Sequence, residues 1–255
     1  MSSGWTATGF WNRSTLLNDG GGPIINALIP TYVKLAPGDN SNGALPSPFA
    51  GSYAFWYGNP AAGNYLGTQY AFDSPNSGGR SVSANSGTLT SPNIALPLVS
   101  SGTSIMLRFN SWFDIEAVNP SSYDLMQVSL QDVVTSEITP LGVMNPSYDP
   151  GGPANTPFTS GGYNTPPVWV EVVQDLSAFS GRTVRILYSF DTKDVLYNGF
   201  RGWVIDNVRV AAEGTSASAT RLTRPRILGG PSLPNAPIVT LQAVPAPKIR
   251  PIPQP

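Results

Sequence analysis

The 255-residue chain contains no cysteine and no histidine. The first absence excludes disulfide bonds, thiolate metal sites and cysteine nucleophiles. The second removes the commonest general base and the commonest zinc ligand, so a Ser-His-Asp or Cys-His catalytic site is impossible. The chemistry that remains uses carboxylates, lysine or tyrosine, or a hard cation held by oxygen ligands. The sequence therefore favours a function other than catalysis.

Charged residues are also scarce, and they are unevenly distributed. They make up 11% of the chain, well below the usual quarter. Residues 214–255 carry five basic residues and no acidic one, whereas the rest of the chain is net negative. A positive charge this dilute does not predict a nucleic-acid partner, but it suits an acidic protein neighbour.

Long apolar runs are missing too. No stretch approaches the ~18 residues that a transmembrane helix requires. The first residues, "MSSGWTATGFW", show neither the basic nor the apolar region of a secretion signal. We therefore expect synthesis without a signal peptide and no membrane insertion.

Glycine and proline are abundant instead, with 26 of each, and this favours turns over helices. Segments of alternating apolar and polar residues, the signature of half-buried strands, occupy residues 51–58, 86–96, 104–117, 123–133, 167–177, 182–192 and 202–211. No helical period persists along the chain. The pattern predicts an all-β antiparallel sandwich with two long loops, 12–50 and 140–166.

The composition changes after residue 213. Residues 214–255 hold nine prolines and little that could form a core, which is typical of an extended, polyproline-like segment. We divide the chain into a sandwich domain, 1–213, and a basic arm, 214–255, that binds neighbouring subunits by adding to a sheet edge or by lying in a groove. Composition alone also fits a disordered linker. The predicted partner-binding residues are Arg221, Arg224, Arg226, Ile238, Val239, Leu241, Lys248 and Arg250. This interpretation predicts an oligomer.

Three motifs resemble the bacterial MAM-like jelly-roll domains of the cleaved-adhesin type. They are "SGTLTSP", "DLSAFSGRTVRI" and "GWVIDNV", within a resemblance that covers roughly residues 4–212. The resemblance implies a non-catalytic accessory module for adhesion, carbohydrate binding or protein contact, often with a bound calcium ion. The acidic first strand of that family is missing, which predicts an open sheet edge.

Asp206 stands between apolar residues in "GWVIDNV". One interpretation makes it a calcium ligand, with Asp114, Glu116, Asp191 and Asp194 as candidate partners, because Ca²⁺ binds six to eight oxygens. The alternative is that Asp206 accepts backbone N–H groups at the end of the sandwich. Asp114 and Glu116 share a strand face and could form an acid–base pair, although spacing alone does not show their separation.

Aromatic residues could provide a platform for a sugar or a protein partner. The candidates are Tyr53, Trp56, Tyr57, Tyr65, Tyr70 and Tyr197. Strand aromatics usually face the core, so Tyr65, Tyr70 and Tyr197 are the predicted surface residues. Asn12-Arg13-Ser14 matches a glycosylation sequon, a motif that recurs by chance.

Three functional hypotheses follow. The first is a non-enzymatic structural or decoration protein of a virion, filament or surface layer, with its body exposed on that assembly and its arm binding neighbours. The alternative is a secreted adhesion or carbohydrate-binding module that recognises a surface glycan. The third, an enzyme using carboxylates, requires Asp114 and Glu116 to face each other across an open cleft.

Overall fold

A computed structural model of the chain describes residues 4–29, 33–66, 78–153, 155–214 and 237–243. The β-strands of these residues are β1 (Thr6–Ala7), β2 (Trp11–Ser14), β3 (Ala54–Tyr57), β4 (Ser86–Thr90), β5 (Ile94–Ala95), β6 (Thr103–Glu116), β7 (Leu125–Asp132), β8 (Ile138–Val143), β9 (Pro157–Thr159), β10 (Gly162–Tyr163), β11 (Val170–Asp175), β12 (Thr183–Asp191), β13 (Gly202–Gly214) and β14 (Ile238–Val239). A 3₁₀ turn covers Ser177–Phe179. No helix in these residues is long and apolar enough to cross a bilayer.

The strands form two sheets, and these confirm the predicted all-β antiparallel sandwich. The first sheet has the order β1-β4-β12-β7-β8, with β5 beside β12. The second has the order β10-β9-β6-β13-β3-β2, with β11 beside β6 and β14 beside β11. All pairs are antiparallel except that of β11 with β14.

The core between the sheets follows from the alternation of side chains along each strand. In β12 every second residue is buried, from Val184 to Phe190. In β13, Trp203 and Ile205 enter this main core, whereas Val204 between them belongs to a second apolar cluster.

That second cluster shows what the first long loop does. Trp56, Trp112 and Val204 lie on the outer face of the second sheet and pack against Leu16, Ile24 and Leu45. The loop between β2 and β3 therefore lies over this sheet face and buries two tryptophans.

Three features differ from the sequence prediction. Strand β2, Trp11–Ser14, overlaps the start of the predicted loop 12–50. The segment 140–166 is not one loop, because it contains the end of β8 and the hairpin of β9 and β10. Strand β13 ends at Gly214, one residue beyond the predicted domain boundary.

Candidate functional site

The loop between β2 and β3 is fixed in its second half, at residues 39–44, by a buried cluster around Arg201. The Arg201 guanidinium forms ion pairs with Asp39, at 2.6 Å, and with Asp114. It also donates hydrogen bonds to the Ser41 hydroxyl, at 2.8 Å, and to the Ala44 carbonyl, at 3.1 Å. Strand β6, the residue before β13 and the loop thus contribute to one network, which we call the Arg201 cluster.

The acidity of these groups reflects opposing effects. Burial raises the pKa of Asp39, but the hydrogen bonds from Ser41 and the charge of Arg201 outweigh it and leave the pKa below its usual value. Burial raises the pKa of Asp114, and the Arg201 guanidinium opposes this rise. The two carboxylates raise the pKa of Arg201 against the effect of its burial. The Arg201 side chain is thus buried and paired at each of its three guanidinium nitrogens, whereas Asp114 keeps one buried oxygen, Oδ1, without a hydrogen-bond partner.

Asp206 fixes the loop a second time, at Ala50, shortly before β3 begins. Its carboxylate accepts the backbone N–H of Ala50, at 2.9 Å, and that of Asn207, at 2.6 Å. A β-bulge follows, where the register of β13 shifts between Asp206 and Arg209. Asn207 adopts a left-handed φ of 53°, which asparagine tolerates. Asp206 therefore has the backbone donors of a structural carboxylate.

Burial raises the pKa of Asp206, and the backbone hydrogen bonds lower it less than burial raises it. The Asn207 side chain donates to the Asn110 side chain at 2.9 Å. The bulge is thus held by polar contacts on both sides, and it leaves Asn207 at the wall of a cavity.

This cavity is a cleft of about 340 Å³ next to Asp206. Its lining residues are Trp5, Arg13, Ala50, Gly51, Ser52, Tyr53, Ala54, Phe55, Asp206, Asn207 and Val208. The Arg13 guanidinium lies 3.4 Å above the centre of the Tyr53 ring. On the apolar side, the rings of Trp5 and Phe55 are 4.7 Å apart. We call it the Tyr53 cleft.

The chemistry of the Tyr53 cleft differs from that of the Arg201 cluster. Tyr53 is 44% exposed and Arg13 is exposed. Within the described residues Arg13 forms no ion pair, so its guanidinium donors are available. A cleft that combines ring faces with a few polar planar groups is typical of small-molecule sites.

The structure separates the predicted calcium ligands. Asp206 is paired with Asn110, and Gly202 with Asp114, on the ladder between β13 and β6. Four rows at about 3.3 Å each place Asp206 and Asp114 about 13 Å apart along the strands, too far to share one ion.

The other predicted ligands have local partners. Asp191 forms an ion pair with Lys193 at 2.6 Å, and Asp194 accepts the N–H of Leu196 at 2.8 Å. In the ranges that the structure describes, no group of three acidic side chains is placed to hold a metal. Calcium binding stays a prediction that isothermal titration with Ca²⁺ can test.

The predicted acid–base pair does not line an open cleft. Asp114 and Glu116 are both buried, and Asp114 is an Arg201 partner. The condition that the enzyme hypothesis requires of these two residues is therefore absent.

The prediction of surface tyrosines was wrong for Tyr65. This side chain is fully buried, and its hydroxyl donates a 2.5 Å hydrogen bond to Asp124. Tyr197 is half-buried and packs against the main core, and Tyr70 lies outside the described residues. Trp56 and Tyr57 are buried, as expected of strand aromatics.

The sequon at Asn12 has a structural role instead. The side-chain amide of Asn12 donates to the carbonyls of Phe10, Trp56 and Gly58 at 2.9 to 3.2 Å. A glycan on this nitrogen would remove these bonds, so the motif does not indicate a modification.

The described part of the arm lies on its own chain. Ile238 and Val239 form β14 beside β11, and Leu241 packs against the main core. The other predicted partner-binding residues, Arg221, Arg224, Arg226, Lys248 and Arg250, lie outside the described residues.

The sequence did not single out three important residues of the cleft, Trp5, Arg13 and Asn207. Arg13 and Tyr53 are 40 positions apart, and nothing in a single sequence shows that a long loop returns to place them together. The one available signal was Asn207, because asparagine after an apolar strand segment favours a left-handed bulge.

Comparison with known proteins gives distant structural neighbours. No model of a known protein family matches the chain, and no curated protein matches it either. The chain resembles the K3 cleaved adhesin domain of Lys-gingipain from Porphyromonas gingivalis, with a TM-score of 0.34, 12% identity and coverage of 80% of this chain and 93% of that domain. The K1 domain of the same protein gives 0.34, 12%, 82% and 99%.

A xylan-binding domain, CBM22-1 of Paenibacillus barcinonensis Xyn10C, has a TM-score of 0.32 and 9% identity over 83% of this chain and 86% of that domain. The cleaved-adhesin resemblance thus has structural neighbours, while its MAM-like part stays a prediction. TM-scores below 0.5 assign no function, so the function has to be inferred from the cleft itself.

Proposed function

We propose that the chain is a non-catalytic carbohydrate-binding module and that its Tyr53 cleft holds the sugar. The observation that carries this proposal is the pairing of aromatic rings with planar polar groups in one open cleft. A sugar ring has apolar C–H faces and a rim of hydroxyl groups. The rings of Trp5 and Tyr53 suit the faces, and the Arg13 and Asn207 side chains suit the rim.

The cleft is preorganised for such a ligand. Arg13 and Tyr53 stack on each other, so neither planar group has to be ordered on binding. Asp206 fixes Ala50 and hence the start of the turn that carries Tyr53. The cleft volume of about 340 Å³ lies within the range of small-ligand sites, roughly 300–1,000 Å³.

The test is a glycan array probed with the full chain and with two variants. We expect the wild type to bind at least one class of oligosaccharide. Tyr53→Ala removes half of the stacked wall and should weaken that binding at least about tenfold, or about 1.4 kcal/mol. The matched control is Tyr148→Ala, because Tyr148 is also exposed but lies outside the cleft.

Tyr148→Ala should bind as the wild type does. Absence of binding to every glycan on the array would overturn the proposal, and so would equal losses in the two variants. A cleft that bound sugar only through general surface stickiness would not distinguish these two tyrosines.

A structural or decoration protein on the surface of a virion, filament or extracellular layer is the second candidate. One observation favours it: residues 237–243 add backbone to the edges of both sheets. Electron microscopy of the native assembly, labelled with an antibody to the sandwich, would test this candidate. Labelling of an ordered surface lattice would favour it, and absence of the chain from any particle would contradict it.

A further inference from the structure

Residues 237–243 cross from one sheet of the sandwich to the other. Ile238 and Val239 pair in parallel with Glu171 and Val172 of β11, and the Glu171 N–H donates to the Pro237 carbonyl at 2.7 Å. This satisfies part of the outer edge of the second sheet.

Further along, Gln242 pairs with Val143 at the end of β8. Each residue donates its N–H to the other's carbonyl, both at 2.8 Å. One short segment therefore covers the edges of both sheets, and exposed edges are the parts of a sheet that recruit further strands. We call the surface formed by β11 and Gly142–Val143 the edge slot.

The edge slot has a shape that matches this segment. Val239 and Leu241 turn toward the main core, whereas Ile238 is 66% exposed. A Cβ on Gly142 would lie 2.5 Å from the Gln242 carbonyl oxygen and 2.7 Å from the Leu241 Cβ. The slot thus accepts the segment only because residue 142 has no side chain.

We propose that the edge slot is an intermolecular docking site that residues 237–243 of a second copy occupy in place of the chain's own. The contacts of the segment are backbone pairs with β11 and Val143 and the packing of Val239 and Leu241 on the core, and the same contacts can form within a chain or between chains. Exchange of an identical element is a low-cost route to an oligomer, and addition of a strand to a sheet edge is a common form of recognition.

Charge supports a second copy as the partner. Residues 214–255, which include the segment, carry five basic residues and no acidic one, while residues 1–213 are net negative. The arm of one copy is therefore attracted to the body of another as it is to its own. Closure within one chain competes, because a tethered segment has a millimolar effective concentration.

The experiment removes this competition by mixing two full-length variants. Gly142→Val closes the slot and leaves the arm free, and it also strains β8 because Gly142 has a φ of 150°. The double variant Val239→Lys, Leu241→Lys prevents the arm from docking and leaves the slot free. Each is checked for folding by tryptophan fluorescence and measured by light scattering. The equimolar mixture is then measured at about 0.2 mM, below the effective concentration of the tethered arm.

We expect monomers for each variant alone and a 1:1 complex of twice the mass in the mixture. The matched control combines all three substitutions in one chain, which should form no complex with Gly142→Val. A mixture that remains monomeric while both variants are folded would overturn the proposal.

A second measurement does not depend on Gly142. The described residues contain no cysteine, and the sequence has none, so Glu171→Cys in one chain and Ile238→Cys in another report the register directly. Facing strand positions have the separation that a disulfide requires. We expect a mixed disulfide under mild oxidation, more abundant than that of Glu171→Cys with the exposed Val82→Cys. Equal yields for the two pairs would contradict strand exchange.

Discussion

The Arg201 cluster and the Tyr53 cleft lie about four ladder rows apart along β13, and they fix different parts of the loop between β2 and β3, residues 39–44 and Ala50. At Arg201, the guanidinium is buried and divided between Asp39 and Asp114. In the Tyr53 cleft, the Arg13 guanidinium is exposed and stacked on Tyr53. Arg201 therefore stabilises the fold, whereas the guanidinium of Arg13 can still donate hydrogen bonds to a ligand.

This difference shows why charged residues cannot be assigned a role by type alone. Asp114 and Asp206 looked equivalent in the sequence, since each lies in an apolar strand. In the structure, Asp114 neutralises a buried cation, whereas Asp206 accepts backbone N–H groups beside an open cleft. What separates structure from recognition here is whether the cation is buried and ion-paired, as Arg201 is, or exposed, as Arg13 is, and not the presence of charge.

The largest effect should come from Arg201→Met. This change leaves two carboxylates in a buried site without their cation, which typically costs about 3–5 kcal/mol of unfolding free energy. Urea denaturation followed by tryptophan fluorescence measures it. Arg182→Met is the control, because Arg182 is paired with Asp132 at the surface and surface pairs contribute about 1 kcal/mol or less. Similar losses of unfolding free energy in Arg201→Met and Arg182→Met would contradict the difference between a buried and a surface arginine.

A smaller loss is expected for Asp206→Ala. The backbone N–H groups of Ala50 and Asn207 lose their acceptor, which costs about 1–3 kcal/mol. Asp206→Asn keeps one acceptor oxygen and should lose less. Both variants should also weaken glycan binding, because the turn that carries Tyr53 is no longer fixed. Unchanged urea midpoints would show that Asp206 does not secure the loop.

Arg13→Gln should change binding and leave stability intact. The guanidinium is exposed and stacks on one ring, so its removal should alter the unfolding free energy by no more than about 1 kcal/mol. Binding to the glycan selected on the array should fall about tenfold, equivalent to about 1.4 kcal/mol. Calorimetric titration gives the affinity. A loss of stability without a loss of affinity would reassign Arg13 to the fold.

The smallest effect concerns pH. The pKa of Asp39 is lowered on folding, so its contribution to stability is present above about pH 4 and is lost as the pH falls through the folded pKa. The pKa of Asp206 is raised, so the pH-dependent part of its contribution is present below about pH 4 and is lost as the pH rises through the folded value, while its backbone hydrogen bonds remain.

The difference in unfolding free energy between the wild type and Asp39→Asn should therefore fall on acidification. The difference between the wild type and Asp206→Asn should rise on acidification. Urea unfolding of Asp39→Asn and Asp206→Asn between pH 3 and pH 7 measures both slopes. Slopes of the same sign would contradict this assignment.

The fold was predictable from the sequence because local patterns carry it. Alternation in "RTVRILYSFD" follows from the two faces of a strand, and β12 covers Thr183–Asp191 of it. The division into a body and an arm after residue 213 rests on the Pro-rich composition alone and stays a prediction. The docking of residues 237–243 onto both sheet edges was not predictable from the sequence. The pairing of Gln242 with Val143 spans 99 residues and requires that residue 142 have no side chain.

The site was less predictable than the fold. Tyr65 looked like a loop residue in the sequence, yet the loop folds inward and buries it against Phe190, with 5.0 Å between the rings. Trp5, Arg13 and Tyr53 come from three separate segments. Their proximity depends on the course of the loop over the sheet, which tertiary contacts at Arg201 and Asp206 determine.

The most direct test of the account compares the Tyr53 cleft and the Arg201 cluster in one spectrum. Backbone amide shifts are recorded by NMR while the array-selected oligosaccharide is added to the full chain. We predict saturable shifts at Gly51, Ser52 and Asn207 and none at Asp39 and Ser41. Shifts confined to the Arg201 cluster, or to residues outside both sites, would contradict the assignment of the Tyr53 cleft as the sugar-binding site.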